Sequence, residues 1–228
     1  MTPTILEAEE MTLRLELRYR GISYTLYDAE EQPYGTAQDV DYPEEMSTHE
    51  GLTHLLYELP VLSLPYREVR VYYMPSAVTL VPESLYDSAE GELWRTTICP
   101  SEEPLRLLPY TLPEESKVLL GACPEALVLL LQRQYLSLQF VPVYMPRLHA
   151  ALEASRAEGR GRLMVLEGAT SLAIAHVAPR GLLFLNTYDF VRPEDEPSRA
   201  DERTYYRSLV WQTLGLSAEH CHVEEVFL

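Results

Sequence analysis

Positive charge, cysteine and long apolar runs are all scarce in this sequence. Lys and Arg total 18 against 35 Asp and Glu, a formal charge of -17, so counterion-release binding of nucleic acid has no overall electrostatic basis. The 3 cysteines form no CxxC pair, which is typical of proteins from a reducing compartment. No apolar run reaches the roughly 20 residues of a membrane span. The N-terminus has no basic segment followed by an apolar one, so no signal peptide is predicted.

These absences predict a cytoplasmic protein that neither inserts into a membrane nor binds nucleic acid. Motifs of familiar hydrolases are missing as well, since the sequence has no GxSxG and no GxxxxGKS. What is present is an apolar content of 46% in 228 residues. That content is enough to bury a substantial core in one large domain or two small ones.

Alternating apolar and polar residues predict strands in the first part of the chain. "MTLRLELRY" and "ISYTLYD" have the period of a half-buried hairpin, and a short strand is expected around residues 36–40. Residues 43–59 carry apolar side chains at helical spacing and precede Pro60, so they predict a helix. "REVRVYYM" then completes the order β-β-β-α-β.

The second part of the chain repeats that order. "RLMVLEG" and "SLAIAHVAP" predict a hairpin, and "GLLFLNTYD" predicts a third strand. An exposed "RPEDEPSRADE" leads into a predicted helix, and "HVEEVFL" closes the chain as a strand. We interpret the two parts as an internal duplication of a β-β-β-α-β unit.

The residues between the two units alternate strands with helices. Residues 117–122 and 138–143 predict strands, while 124–135 and 146–157 predict helices. Such alternation favours parallel strands joined by crossovers. Residues 82–113 are richer in proline and charge, so the boundary is expected there, with a first lobe of residues 1–113 and a second of 114–228.

Two such units resemble the duplicated ribonuclease H-like fold of the actin-like ATPase superfamily. "KVLLGACPEALVLLLQRQYLSLQFVPVYMPRLHAAL" and "LMVLEGATSLAIAHVAPRGLLFLNT" are similar to the second half of its pilus-assembly and cell-division branch. "TLVPESLYD", "LLFLNTYDF" and "DERTYYRSLVWQTLGL" resemble an uncharacterised bacterial family, domain-of-unknown-function family 3822. The resemblance implies an α/β fold of two lobes with mixed sheets. The chain stops at "VEEVFL", where the superfamily places an adenine-binding Gly-Gly turn, so a second lobe truncated at its C-terminus is expected.

The resemblance also implies a candidate phosphate site in the turn of the second hairpin. Active members of the superfamily carry an Asp-x-Gly hairpin, in which the Asp handles Mg²⁺ and the Gly lets the backbone approach phosphate. Matching Gly168 to that Gly puts Leu166 at the Asp position, and a shift by one puts Glu167 there but loses the spacing. The first hairpin has the bulky Tyr19 and Arg20 at its turn. The resemblance therefore implies a degenerate nucleotide site.

Two functions follow for this turn. We expect it only to close a hairpin in a non-catalytic protein without a cofactor. In the alternative, a nucleotide-binding protein or weak ATPase, a shortened phosphate loop would bind ATP and Mg²⁺ through Glu167, Gly168, Ala169, Thr170 and Ser171.

Histidines and carboxylates offer two further sites. His220 and His222 lie two residues apart on a predicted strand and could share a metal ion, but without a third ligand we expect a surface strand end and no metal site. A two-metal nuclease would need converging carboxylates. The candidates are Glu16, Asp28, Glu167 and Asp189. Since Glu16 falls on the polar face of its strand, solvated roles are the favoured prediction.

Tyrosine is frequent, with 16 residues. Tyr205, Tyr206 and Trp211 share one predicted helix, and such side chains are favoured at protein interfaces. The ordinary alternative divides each tyrosine pair between core and surface. We predict a non-catalytic scaffold that binds a protein partner through this face or through the cleft between its lobes.

Overall fold

The protein has an α/β fold in the computed structural model, which describes residues 3–98, 104–112 and 115–228. The strands within those residues are β1 (Thr12–Arg18), β2 (Gly21–Tyr27), β3 (Gln38–Asp41), β4 (Glu68–Tyr73), β5 (Val78–Pro82), β6 (Leu105–Leu112), β7 (Lys117–Pro124), β8 (Leu138–Pro142), β9 (Gly161–Glu167), β10 (Ser171–Ala178), β11 (Gly181–Asp189) and β12 (Cys221–Phe227). The helices there are α1 (Ile5–Ala8), α2 (Thr48–Glu58), α3 (Gly91–Ile98), α4 (Glu125–Gln134), α5 (Met145–Glu158) and α6 (Glu196–Thr213). None of these helices is long and apolar enough to cross a membrane.

The first sheet is mixed and has the strand order β3-β2-β1-β4-β8. β1 and β2 form the predicted hairpin, and β3 pairs antiparallel with β2. The chain crosses through α2 and returns as β4, which runs parallel to β1. The chain then leaves this sheet to form β5, α3, β6 and β7, and α4 returns it as β8, which runs parallel to β4. Parallel neighbours need such crossovers because a short turn can join only antiparallel strands.

The second sheet repeats the first four positions, with the order β11-β10-β9-β12. β9, β10 and β11 are antiparallel neighbours, and α6 returns the chain so that β12 runs parallel to β9. The registers agree as well. Leu13 lies beside Val69 in the first sheet, Leu163 lies beside Val223 in the second, and both leucines are equally far from their hairpin turns. The predicted β-β-β-α-β repeat is therefore confirmed.

A third sheet has the order β5-β7-β6. β7 pairs antiparallel with β5, so the predicted parallel arrangement is wrong for β7, although it is correct for β8. β5 was not predicted, because it is only five residues long and ends at a proline. Residues 82–113, predicted as a boundary, contribute α3 and β6.

Internal contacts divide the chain into two compact units. The first unit holds the five-stranded sheet with α1, α2 and α4, and the second holds the four-stranded sheet, most of the three-stranded sheet, and α3, α5 and α6. α4 and β8 follow residue 114 in the chain yet belong to the first unit, because β8 completes its sheet beside β4. The units therefore differ from the predicted lobes 1–113 and 114–228. The predicted boundary between residues 113 and 114 itself lies outside the described residues.

α2 begins later than predicted because Ser47 caps it. The Ser47 hydroxyl accepts a hydrogen bond from the N–H of Glu50, and the Glu50 carboxylate accepts one from the N–H of Ser47. This capping box fixes the first turn of the helix, so residues 43–46 precede it. One turn further on, Gly51 packs against the ring of Tyr42, and a Cβ atom at position 51 would lie 2.3 Å from its Cγ.

We expect Gly51→Ala to lower the free energy of unfolding by about 1–3 kcal/mol, because the added methyl group has no space beside Tyr42. This clash should outweigh the gain in helix propensity, about 1 kcal/mol. Urea denaturation followed by circular dichroism measures the change. Gly91→Ala in α3 is the control, since nothing lies within 4 Å of its Cβ position. A Gly51→Ala variant as stable as this control would contradict the packing described.

Candidate functional site

The hairpin turn between β9 and β10 is closed by backbone hydrogen bonds. The N–H of Gly168 donates to the carbonyl oxygen of Ser171 at 2.9 Å, and the N–H of Phe190 donates to that of Thr170 at 3.0 Å. Ala169 and Thr170 therefore form a two-residue loop. A phosphate would need backbone N–H groups that point away from the hairpin, whereas the N–H of Gly168 points into it.

Position 168 has little space for a side chain. A Cβ atom at position 168 would lie 3.3 Å from the carbonyl oxygen of Ser171 and 3.7 Å from Cε of Met74. Leu166, at the Asp position of the superfamily motif, is fully buried. Gly168 thus lies where a larger residue would press on its neighbours, whether or not a ligand binds.

Glu167, next to the turn, is a buried carboxylate held by two arginines of α6. Its side chain is only 2% exposed. Nε of Arg199 donates to Oε1 at 3.1 Å, and Nη1 of Arg203 donates to Oε2. The hydrogen bond that Arg203 donates to Glu167 raises the pKa of Arg203 above its ordinary value. Both carboxylate oxygens are therefore engaged, and the nucleotide-binding role of Glu167 and of the turn residues stays a prediction.

An acidic depression lies beside the turn of the first hairpin. A cavity of about 1240 Å³ lies beside Tyr19 and Arg20. The carboxylates lining it are Asp41, Glu44, Glu45 and Glu50. Burial raises the pKa of Tyr42, at its wall, to about 12. Four carboxylates and Arg20 give the lining a net negative charge, which disfavours phosphate.

One of the two histidines considered as metal ligands has a local side-chain partner. Nδ1 of His220 lies 2.9 Å from Oγ of Ser217, while His222 is exposed and Cys221 packs into the core between them. Across residues 3–98, 104–112 and 115–228, no group of three or more His, Cys, Asp or Glu side chains is placed to hold a metal ion.

The carboxylates considered for a nuclease also lie in different local environments. Asp28 accepts hydrogen bonds from the N–H groups of Glu30 and Gln32 in its own turn. Burial raises the pKa of Glu16 and that of Asp189. Among the described residues, these carboxylates are not part of any group of three or more side chains that could hold a metal ion.

The three aromatic residues predicted at an interface occupy two sides of α6. Tyr206 stacks on Tyr188 with ring centroids 4.3 Å apart, and Tyr205 meets Tyr206 edge-on at 5.3 Å. Tyr205 is 62% exposed. Trp211 instead faces β12, where it lines a groove with Val223. The structure therefore groups the two tyrosines and separates the tryptophan from them.

The groove between α6 and β12 has a volume of about 400 Å³. Its lining residues are Arg207, Ser208, Trp211, Gln212 and Val223. Arg207 forms an ion pair with Glu225 of β12 at 2.6 Å. Sequence reasoning missed this groove because its walls are separated along the chain, and missed the partners of Glu167 because they follow it by 32 and 36 residues.

The repeated sheet order and its crossover helices define a protein of the actin-like ATPase fold. A Bacteroides thetaiotaomicron protein with this fold and unknown function aligns with a TM-score of 0.83 at 18% identity, over 99% of this chain and 85% of that chain. The PilM-PilN type IV pilus biogenesis complex aligns with a TM-score of 0.54 at 18% identity, over 96% of this chain and 82% of that chain. At such identities the likeness shows the fold alone.

The sequence itself shows the family. The family model described as protein of unknown function DUF3822 matches residues 2–225, and the chain belongs to this family. No curated protein matches the sequence. The suspected family and the α/β actin-like fold with mixed sheets are thus confirmed, while the truncation of the second lobe stays a prediction.

Replacing Glu167 by glutamine should destabilise the protein. Glu167→Gln removes the charge that two partly buried arginines face, and breaking such a buried pair costs about 3 kcal/mol of unfolding free energy. Urea denaturation measures the loss. Glu225→Gln is the matched control, because Glu225 is 33% exposed and an exposed ion pair contributes less than about 1 kcal/mol. Equal losses of unfolding free energy in the two variants would show that Glu167 contributes no more to stability than an exposed ion-pair partner.

Proposed function

We propose that this chain is a non-catalytic, cytoplasmic protein-binding component on an actin-like fold, and that α6 carries a binding surface. The observation that carries the proposal is an outer α6 face, formed by Val191, Tyr205 and Leu209, which are 80%, 62% and 42% exposed. Leu209 follows Tyr205 by one helical turn. The N–H of Val191 donates to the carboxylate of Glu202, which places it near the same side of the helix.

This face has the chemistry of a protein contact. Large apolar side chains grouped on a surface mark interaction sites more often than isolated ones do. Tyrosine gives a large contact area at low entropic cost and can also form a hydrogen bond through its hydroxyl. Tyr206 supports the face from below, because it stacks on Tyr188 and meets Tyr205 edge-on. The outer α6 face is therefore held in place before any partner arrives.

The hairpin turn supports a non-catalytic role. The N–H of Gly168 is used inside the hairpin, and the nearest charged group, Glu167, is anionic and already paired. An anionic phosphate gains little at such a turn. The buried thiols of Cys123 and Cys221 are free, which supports a reducing location.

The fold gives a precedent for protein binding. The chain aligned in the pilus structure belongs to the complex of PilM with PilN, so an actin-like fold serves there in a protein assembly. The analogy is one of fold, and the proposal for this chain depends on its own exposed side chains.

Site-specific photo-cross-linking in the host cell tests the proposal. A photoreactive phenylalanine at position 205 should cross-link to one partner protein, because Tyr205 is in the outer α6 face. The same group at position 57 is the control, since Tyr57 is 84% exposed on α2. Leu209→Asp should reduce the cross-link from position 205 several-fold by placing a charge in the contact. An absent product, or equal products from positions 205 and 57, would refute the proposal.

A nucleotide titration tests the competing function. We expect millimolar Mg-ATP or Mg-ADP to leave the melting temperature unchanged. A ligand that binds only the folded state at 100 times its dissociation constant would add about 2.7 kcal/mol, a shift of a few degrees. A shift that Gly168→Val abolishes, with the unliganded melting temperature preserved, would make the turn a phosphate site and overturn the non-catalytic reading.

A further inference from the structure

β12 has one open edge. In the second sheet β12 pairs with β9 on one side, and no strand among the described residues pairs with its other side. The carbonyl oxygen of His220 accepts from Gly161, and the N–H of Leu228 donates to Glu167, so even-numbered residues direct their backbone groups towards β9. Because backbone direction alternates along a strand, Val223, Glu225 and Phe227 direct theirs towards the open edge.

The first repeat shows what covers this edge in the same fold. Val69 and Tyr73 of β4 occupy the positions that Val223 and Phe227 occupy in β12. There β8 pairs with β4, and the N–H of Val69 donates to the carbonyl oxygen of Ser137 at 2.8 Å. Val69 and Tyr73 are 1% and 2% exposed, whereas Val223 and Phe227 are 43% and 66% exposed. The same strand position is thus buried under a parallel strand in one repeat and open in the other.

The helix beside the strand repeats this contrast. In the first unit α4 packs against α2, while in the second unit the corresponding side of α6 borders the groove of about 400 Å³. Trp211 and Val223 give that groove an apolar wall, and Arg207 is neutralised by Glu225. The groove therefore suits apolar side chains of a strand laid along β12.

The net charge of the chain argues against a second copy of the protein as the partner that covers the open edge of β12. Two copies would bring together two net charges of -17, and such charges repel. In the antiparallel self-pairing centred on Glu224, this carboxylate would also face its own copy across the strand pair, which is destabilising. A neutral or basic segment avoids both costs.

We propose that the open edge of β12 binds an extended segment of a partner protein by strand addition. The segment carries apolar side chains at alternate positions, has no excess negative charge and runs parallel to β12, as β8 runs beside β4. Its backbone pairs with Val223, Glu225 and Phe227, and its side chains enter the groove beside Trp211. This mode of binding rests on the proposed protein-binding function and adds the chemistry of the partner.

A peptide taken from the chain itself is the probe. The segment "LSLQFVP", residues 136–142, covers the equivalent edge in the first repeat. Labelled with fluorescein, it should bind the full-length protein with a saturable rise in anisotropy. Val223→Lys should weaken binding about tenfold or more, because a charged side chain on an edge strand opposes pairing. Val223→Pro should also weaken peptide binding, because it removes the N–H that points to the open edge. It should have little effect on the pairing of β12 with β9.

Leu85→Lys is the matched control, because Leu85 is exposed in the same unit and lies outside both β12 and the outer α6 face. Binding that Leu85→Lys preserves and both Val223 variants weaken is the expected result. No saturable binding up to millimolar peptide, or binding that the Val223 variants leave unchanged, would overturn the proposal. Concentration-dependent self-association that Val223→Lys abolishes would overturn it in favour of a second copy. Cross-linking from position 205 without peptide binding would reject strand addition and keep the protein-binding function.

Discussion

A buried carboxylate must be neutralised, and at Glu167 this requirement organises the second unit. A charge that is 2% exposed is tolerated only with close counter-charges and hydrogen bonds. Arg199 and Arg203 supply both from α6, which fixes the helix against the sheet. Arg203 also lies over the ring of Phe227 at 5.5 Å. One ion-pair cluster therefore joins the hairpin, the helix and the last strand, and so holds in place the surfaces that α6 exposes.

The same cluster sets the chemistry of the neighbouring turn. Arginines near a backbone turn would normally favour an anionic ligand, but here their charge is committed to Glu167. Gly168 then follows with its N–H donated across the hairpin. The N–H of Gly168 and the carboxylate of Glu167 therefore both contribute to the internal structure of the second unit.

Strand periodicity was enough to predict most of the fold. β1, β2, β9 and β10 alternate or run apolar between clear turns, and the repeat they belong to was predicted from the sequence. β5 and the antiparallel partner of β7 were not, because short strands are chosen by tertiary contacts more than by local pattern. The start of α2 was misplaced since the capping box at Ser47 was not recognised, although its serine and Glu50 have the required spacing. Trp211 and Val223 come together in the groove only because of the way the chain returns from α6 to β12. A local sequence pattern cannot predict such a contact.

Repetition makes the differences between the two sheets informative. Both units use the same strand order and register, so a strand position in one has a counterpart in the other. The shared core positions Leu13 and Leu163 are both fully buried, as expected if the repeat conserves its centre. At the sheet margin the counterparts diverge, since Val69 is covered and Val223 is exposed. Among the described residues no strand pairs with the outer side of β12, and its outward backbone groups lie beside an apolar groove. An incoming segment would gain both backbone hydrogen bonds and apolar burial at this edge. These are the two sources of affinity and specificity in binding by strand addition.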